Sequence, residues 1–189
     1  MKIYIALIHY PVFDKNMRII TSSIVPYDIV DMSRASKTFN VKNFYVVHPY
    51  KNQRDSIKRV IKFWTVERGS FYNEDRKKAL ELVKIKRSLK EVIEEIKKIE
   101  GIEPKIVLTC AKKYEENISY KFLKSIILKF PVLILFGTGW GIVKEKIMFD
   151  YILEPILGFP INNEYNHLTV RSACSIILDR ICNLFRSSS

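Results

Sequence analysis

Cysteine is scarce in this sequence, with three residues in 189, at Cys110, Cys174 and Cys182. Their number is odd and no pair has the Cys-x-x-Cys spacing, so the pattern predicts neither a disulfide framework nor a structural zinc site. We therefore expect free thiols in a reducing compartment, the cytoplasm, and no bound metal.

Long apolar runs and linker-like segments are also missing. No uninterrupted run approaches the roughly 18 residues that a membrane-spanning helix requires, and residues 1–10 are apolar but too brief for a secretory leader. No internal repeat, low-complexity tract or Pro/Gly-rich linker divides the chain. Hydrophobic residues make up 48% and charged residues 28%, an ordinary globular mixture. We expect one domain over residues 1–189 and no membrane segment.

Acidic residues are outnumbered by basic ones. The sequence has 20 Asp and Glu against 32 Lys and Arg, which gives a formal charge of +12. This excess favours a polyanionic partner, because cations that neutralise phosphates release bound counterions. Nucleic acid is the leading candidate. A solvated, Lys/Glu-rich surface of a heat-tolerant protein would give a similar balance, so charge alone leaves both interpretations open.

Short apolar runs alternate with segments of helical periodicity. The predicted strands are residues 2–8, 43–48, 81–86, 105–110, 131–136 and 151–154. The predicted helices are residues 26–39, 55–66, 88–101, 144–149 and 168–185, the third with a capping box at its start and a glycine at its end. Strands that alternate with helices favour right-handed crossovers. We therefore predict an α/β fold with a mostly parallel sheet flanked by helices.

Glycine is rare as well, and three of the six glycines lie at alternate positions in residues 137–141. Glycine lets the backbone approach a ligand closely, and a strand-to-helix loop at the carboxyl edge of a parallel sheet is where nucleotides usually bind. The spacing differs from the dinucleotide fingerprint, and no P-loop Gly-Lys-Ser/Thr follows. The pattern indicates a cofactor loop, with a simple tight turn as the alternative.

Polar residues cluster near the predicted last helix. Residues 154–158 lead through a polar turn at 162–164 into the sequence Tyr-Asn-His-Leu-Thr-Val-Arg-Ser-Ala at 165–173. Asparagine, threonine and serine commonly cap the free backbone donors at the start of a helix. Each of these residues, taken singly, is compatible with a structural role.

The order of these segments resembles that of the SPOUT class of methyltransferases. Residues 136–141 resemble the Gly-rich second motif of that class, 154–158 its short Ile-Pro-Met-type loop, and 167–173 its third motif with the helix that follows. Residues 27–39 resemble its first motif, a helix carrying an arginine, which Arg34 matches. The resemblance covers nearly the whole chain.

The best match is a bacterial branch of predicted S-adenosylmethionine-dependent RNA methyltransferases. Its members begin with a His-Tyr-Pro-Val stretch, here residues 9–12, and end with a stretch like that at 165–173. The resemblance implies a deep trefoil knot near the C-terminus, S-adenosylmethionine as cofactor, and tRNA or rRNA as substrate. Asp28 and Thr169 stand where the SpoU-type pattern has asparagine, so ribose 2′-O-methylation is not specifically predicted.

The resemblance also implies roles for individual residues. The candidate catalytic residues are Arg34, Asp28 and His167, with Arg171 as a further polar candidate. The adenine would lie between apolar side chains of the knot loops. The candidate cofactor-binding residues are Leu135, Phe136, Gly137, Thr138, Gly139, Gly141, Pro155, Ile156, Leu157, Gly158, Asn166, His167, Leu168 and Val170.

A homodimer is expected, because the resembling class completes its site beside a dimer interface, and the apolar stripe of the last helix is the predicted contact. Two other functions remain open at the level of sequence. A non-catalytic RNA-binding module would keep the fold and the basic charge without methyl transfer. A nucleotide-binding enzyme would use residues 137–141 for phosphates and bind ATP or NAD instead.

Overall fold

The computed structural model describes residues 1–160 and 165–186, so the predicted polar turn at 162–164 lies outside the described residues. Its strands and helices alternate along most of the chain. In order they are β1 (Ile3–Ile8), β2 (Val12–Phe13), β3 (Ile19–Ile20), α1 (Pro26–Thr38), β4 (Phe44–Val47), α2 (Lys51–Thr65), α3 (Gly69–Tyr72), α4 (Glu74–Leu80), β5 (Val83–Lys86), α5 (Leu89–Glu100), β6 (Lys105–Leu108), β7 (Asn117–Ile118), α6 (Tyr120–Ile127), β8 (Val132–Gly137), β9 (Tyr151–Leu153) and α7 (Val170–Arg186).

Seven strands form one sheet in the order β5-β4-β1-β8-β6-β9-β7, and every neighbouring pair is parallel. Strands β2 and β3 form a separate antiparallel hairpin. The predicted α/β fold is confirmed, and each of the six predicted strands is present within about two residues of its predicted ends. The two-residue strands β2, β3 and β7 were not predicted, because two residues carry no periodicity.

The central strands are buried on both faces, which is why they are continuously apolar in sequence. Along β1, Ile3, Ile5 and Leu7 join one hydrophobic cluster, and Tyr4 and Ile8 join the other. Helices α1, α2, α4, α6 and α7 contribute buried side chains to the first cluster, whereas α5 contributes to the second. The sheet is therefore flanked by helices on both faces.

The predicted helix at 144–149 is wrong. Only Lys144–Lys146 form a short 3₁₀ turn, and Ile147 is extended with φ −127° and ψ 133°. Ile147 and Phe149 pack against the second cluster together with Ile142. An extended chain directs alternate side chains to the same side, and here this arrangement covers the sheet in place of a helix.

Helix ends follow the caps that the sequence contains. Ser88 accepts a hydrogen bond from the Glu91 backbone N–H at 3.3 Å, and Gly101 ends α5 with φ 77°, so this helix is confirmed at both ends. Helix α2 begins at Lys51 and not at residue 55. The short helices α3, α4 and α6 were not predicted.

Helix α7 uses its apolar stripe within its own chain. Four of its buried side chains pack in the first hydrophobic cluster, where α1 and α6 also lie; they are Cys174, Ile177, Leu178 and Ile181. Cys182 is also buried. The stripe is therefore part of the monomer core and is not available as a dimer contact. Of the three cysteines, only Cys110 is partly exposed.

Candidate active site

The crossover connections of the sheet diverge between β1 and β8. The chain leaves β1 toward β4 on one side and leaves β8 toward β9 on the other. In open parallel sheets, ligands bind outside the carboxyl ends of the strands where the connections diverge in this way. The residues that follow β1 and β8 therefore surround the expected ligand crevice.

The Gly-rich loop after β8 is held by the segment that follows β1. The Phe13 backbone N–H donates to the Gly141 carbonyl at 2.9 Å, and the Trp140 N–H donates to the Phe13 carbonyl at 2.9 Å. Gly139 has φ 58°, and a Cβ at this position would lie 2.6 Å from the Phe13 carbonyl oxygen. Only glycine fits here, because the backbone conformation and the close approach both exclude a side chain.

Gly141 differs from Gly139 in its surroundings. It has φ 104°, and no atom lies within 4 Å of the position that a Cβ would occupy. The backbone of the loop is therefore open to a ligand on this side. Leu135 and Phe136, by contrast, are fully buried strand residues whose side chains belong to the core, so only their backbone could take part in a site.

A chain of hydrogen bonds connects the loop to β1. The Thr138 hydroxyl donates to the Ile8 carbonyl at 3.2 Å, and the Ser22 hydroxyl lies 2.5 Å from Thr138 Oγ1. His9 Nδ1 lies 2.9 Å from Ser22 Oγ. When each of these contacts is a hydrogen bond, the Thr138 hydroxyl donates to Ile8, the Ser22 hydroxyl donates to Thr138, and His9 Nδ1–H donates to Ser22. His9 Nε2 is then an unprotonated nitrogen, and it has no hydrogen-bond partner in the described part of the chain.

A second histidine lies beside this chain, at the end of β4. His48 Nε2 donates to the Ser22 carbonyl at 3.0 Å, and its Nδ1 accepts from the Tyr50 N–H at 3.1 Å, so both ring nitrogens have partners. The rings of His9 and His48 are 5.4 Å apart. Burial, with a smaller contribution from His48, lowers the pKa of His9 to about 3, and burial also lowers the pKa of His48. Both rings are neutral at physiological pH.

The loop at 154–158 and the segment at 165–173 are connected through Asn166. Its side-chain amide donates to the Ile156 carbonyl at 2.9 Å. Pro155 is buried, and the preceding Glu154 accepts a hydrogen bond from the Tyr120 N–H at 3.0 Å. The loop at 155–158 is therefore attached both to α6 and to the segment before α7.

An ion pair connects helix α1, which carries the predicted first motif, to the start of helix α7. The Arg171 guanidinium donates to Asp28 Oδ1 at 2.9 Å and lies 3.4 Å from Asp31 Oδ2. Arg34 is exposed on the same helix, and it makes no ion pair with the described residues. His167 is exposed, with its ring 5.5 Å from that of Tyr165. Asp28 thus holds the start of α7, whereas Arg34 and His167 face solvent.

These segments are close enough to share one ligand. Strands β8, β6 and β9 are neighbours in the sheet, and parallel strands lie about 4.8 Å apart, so the ends of β8 and β9 are separated by about 10 Å. Ile156, Leu168 and Val170 are partly exposed apolar side chains on the two segments that Asn166 connects. Partly exposed apolar side chains can pack against a flat aromatic ring, and the open backbone near Gly141 suits a polar group. The chain's residues therefore fit S-adenosylmethionine.

The comparison with protein families decides the assignment. The profile of a family described as "SAM-dependent RNA methyltransferase" matches residues 2–183, almost the whole chain. The chain belongs to this family of S-adenosylmethionine-dependent RNA methyltransferases. S-adenosylmethionine is therefore the cofactor of the methyltransferase and RNA its substrate class, as the resemblance implied.

Relatives in sequence include both uncharacterised and named proteins. An uncharacterised protein of Aquifex aeolicus (strain VF5) is 41% identical over 182 residues, 95% of this chain and 87% of that protein. A protein of Oleidesulfovibrio alaskensis named tRNA (guanine-N(1)-)-methyltransferase is 34% identical over 180 residues. The methyltransferase spans only 41% of the length of that relative.

Solved structures share the fold at low identity. A probable methylase family protein from Haemophilus influenzae Rd KW20 has a TM-score of 0.62 and 16% identity, covering 98% of this chain and 67% of that chain. The A. aeolicus TrmH/SpoU tRNA modifying enzyme has a TM-score of 0.58 and 15% identity, covering 99% and 77%. The fold of the methyltransferase is therefore that of the SpoU structures.

Sequence reasoning did not identify the buried polar chain of this site. Ser22 and His48 were not predicted as site residues, and His9 entered only as part of a motif. A signal was present, because His9 and His48 each directly follow a buried strand, where a polar residue reaches the carboxyl edge. Among the described residues, no group of three metal-binding side chains occurs, and no helix is long and apolar enough to cross a membrane.

Proposed function

We propose that the methyltransferase binds S-adenosylmethionine at the carboxyl edge of β8, β6 and β9 and methylates a nucleotide of tRNA or rRNA there. The observation that carries this proposal is that the Gly-rich loop follows β8 and the loop at 154–158 follows β9, beside the point where the crossovers diverge, while Asn166 attaches the segment before α7 to the second loop. The relatives named as tRNA methyltransferases support tRNA as the first substrate to test.

The cofactor supplies a methyl group on a sulfonium, which needs little covalent assistance from the protein. The residues of the chain position the reactants and accept one proton from the nucleophile. The backbone of residues 137–141 holds polar groups, while Ile156, Leu168 and Val170 enclose the adenine. These two assignments rest on the open space at Gly141 and on the partial exposure of the three apolar side chains.

Three polar residues divide the remaining tasks in this proposal. Arg34 is exposed and always charged, so it binds a phosphate or ribose of the RNA. His167 is exposed near the start of α7, where it can accept a proton from the target nucleotide. Asp28 acts through Arg171, because the ion pair between them fixes the segment that carries His167.

The proposal includes a homodimer, a C-terminal knot and a cytoplasmic location. Exposed apolar side chains on α1, on the loop at 154–160 and on the segment before α7 support the dimer, since exposed apolar surface marks interaction sites. They are Tyr27, Leu157, Phe159, Tyr165 and Leu168. The stripe of α7 is not part of this contact, because it is buried in the monomer.

Calorimetric titration with S-adenosylmethionine, with ATP and NAD as controls, tests the cofactor site. We expect selective micromolar binding, followed by transfer of labelled methyl groups to bulk tRNA or rRNA. Selective binding of ATP or NAD would favour a nucleotide-binding enzyme. RNA binding without methyl transfer would favour a non-catalytic module.

A further inference from the structure

Two adjacent aromatic side chains protrude from the surface beyond the end of α2, outside the candidate active site. Phe71 is 92% exposed and Tyr72 is 85% exposed. Val66 and Phe63, at the end of the same helix, are also exposed. Such a patch of contiguous apolar side chains marks an interaction site. We call Phe71 and Tyr72 the aromatic pair.

The turn that carries the aromatic pair is firmly built. Gly69 is buried against the end of α2, where a Cβ would lie 2.7 Å from the Trp64 ring and 2.8 Å from the Phe63 carbonyl oxygen. Asn73 caps α4 by accepting from the Arg76 N–H at 2.8 Å, and the Arg76 guanidinium lies 4.1 Å from the centre of the Trp64 ring. The pair is therefore displayed by a packed turn.

The surface next to the aromatic pair is basic. Residues 51–68 contain six cations and two acids, a net charge of +4 out of the +12 of the whole chain; the cations are Lys51, Arg54, Lys58, Arg59, Lys62 and Arg68. Asp55 pairs with two of the lysines and Glu67 with a third. Arg59 and Arg68 have no acidic partner within residues 1–160 and 165–186, so their charges are available to phosphates.

Helix α2 connects this surface to the candidate active site. It begins just after His48, at the carboxyl edge of the sheet, and its 15 residues extend over about 22 Å. Arg59, Lys62, Phe63 and Val66 are spaced at i, i+3, i+4 and i+7, so they share one exposed face of the helix that leads to the aromatic pair.

We propose that the aromatic pair stacks on unpaired bases of the RNA substrate while Arg59 and Arg68 bind neighbouring phosphates. This inference rests on the proposed function, because it takes the methylated nucleotide to lie at the carboxyl edge and places a second contact at the other end of α2. Aromatic side chains stack on any unpaired base, whereas the bases of a duplex already stack on each other. The partner is therefore a single-stranded segment or loop.

Fluorescence anisotropy with a labelled 12-nucleotide oligoadenylate, and with an RNA duplex of the same length, tests the proposal. The double variant Phe71→Ser/Tyr72→Ser is compared with the wild type and with Leu128→Ser, which removes an exposed apolar side chain from the end of α6. We expect the double variant to lose at least about ten-fold in affinity for the single strand and less than about two-fold for the duplex. Leu128→Ser should match the wild type.

A second double variant, Arg59→Gln/Arg68→Gln, should reduce the salt dependence of oligoadenylate binding by roughly two phosphate contacts. Wild-type affinity of Phe71→Ser/Tyr72→Ser for oligoadenylate would overturn the proposal. So would a dimeric wild type that becomes monomeric in this variant by light scattering, because the pair would then join two copies. Calorimetry with S-adenosylmethionine should give equal affinities in all variants, and absent cofactor binding in the wild type would contradict the proposed function alone.

Discussion

Acidification from about pH 7.5 to pH 4.5 protonates His9 in the unfolded chain but not in the folded protein. Burial lowers its pKa from 6.5 to about 3, so the unfolded state binds the proton first. The free energy of unfolding therefore keeps the full contribution of His9 above about pH 6.5, and this contribution is lost progressively as the pH falls toward 3. At pH 4.5 the loss from this one residue is about 2–3 kcal/mol, a large share of the stability of a small domain.

Urea unfolding of the wild type and of His9→Asn at both pH values measures this contribution. Asparagine can place its Nδ2–H near the position of His9 Nδ1–H and so keep the hydrogen bond to Ser22. All other ionisable residues are the same in both proteins, so their contributions largely cancel when the two pH dependences are compared. We expect the wild type to lose about 2–3 kcal/mol more than the variant. Equal losses in the two proteins would refute the assignment of His9 as a buried neutral ring.

Three further substitutions give distinct expectations. Gly139→Ala should abolish binding of S-adenosylmethionine in calorimetry, because the added Cβ would strike the Phe13 carbonyl. The control is Gly101→Ala, which also lies at positive φ but has open space around it. This control should lower the free energy of unfolding by about 1–2 kcal/mol and leave the affinity for S-adenosylmethionine unchanged. Asn166→Ala should weaken cofactor binding about five-fold by releasing residues 155–158, and wild-type affinity would show that this bond does not organise the site. Ser88→Ala should lower the free energy of unfolding by about 1 kcal/mol through loss of the α5 cap, with methyl transfer unchanged; an unaltered unfolding midpoint would contradict this.

The sequence predicted those parts of the fold in which local pattern and burial agree. Strands β1 and β8 are apolar throughout because both of their faces are covered, and α5 has both of its caps in the sequence. The segment at 144–149 was predicted as a helix because it follows a strand and a Gly-rich loop, the usual order in such a fold. Tertiary packing of Ile147 and Phe149 on the sheet decided its extended conformation.

The candidate site was predictable where a residue type implies a backbone requirement. The glycines at 139 and 141 do adopt positive φ. The hydrogen bonds of Ser22 were not predictable, because its partner Thr138 is 116 residues away in sequence. The apolar stripe of α7 was predicted to contact a second copy of the protein, but it packs within its own chain. An amphipathic pattern identifies the face that is buried without identifying what buries it.

Strand β8 lies between β1 and β6, although the ribosome synthesises it after both. Until residues 132–137 have emerged, β1 lacks one of its two hydrogen-bonding neighbours and β6 lacks both, because β9 follows β8 in the chain. Pairings of such large sequence separation form slowly, and unpaired strand edges promote aggregation. The nascent chain therefore carries unpaired strand edges until β8 emerges, and the same late strand that joins β1 to β6 also delivers the Gly-rich loop.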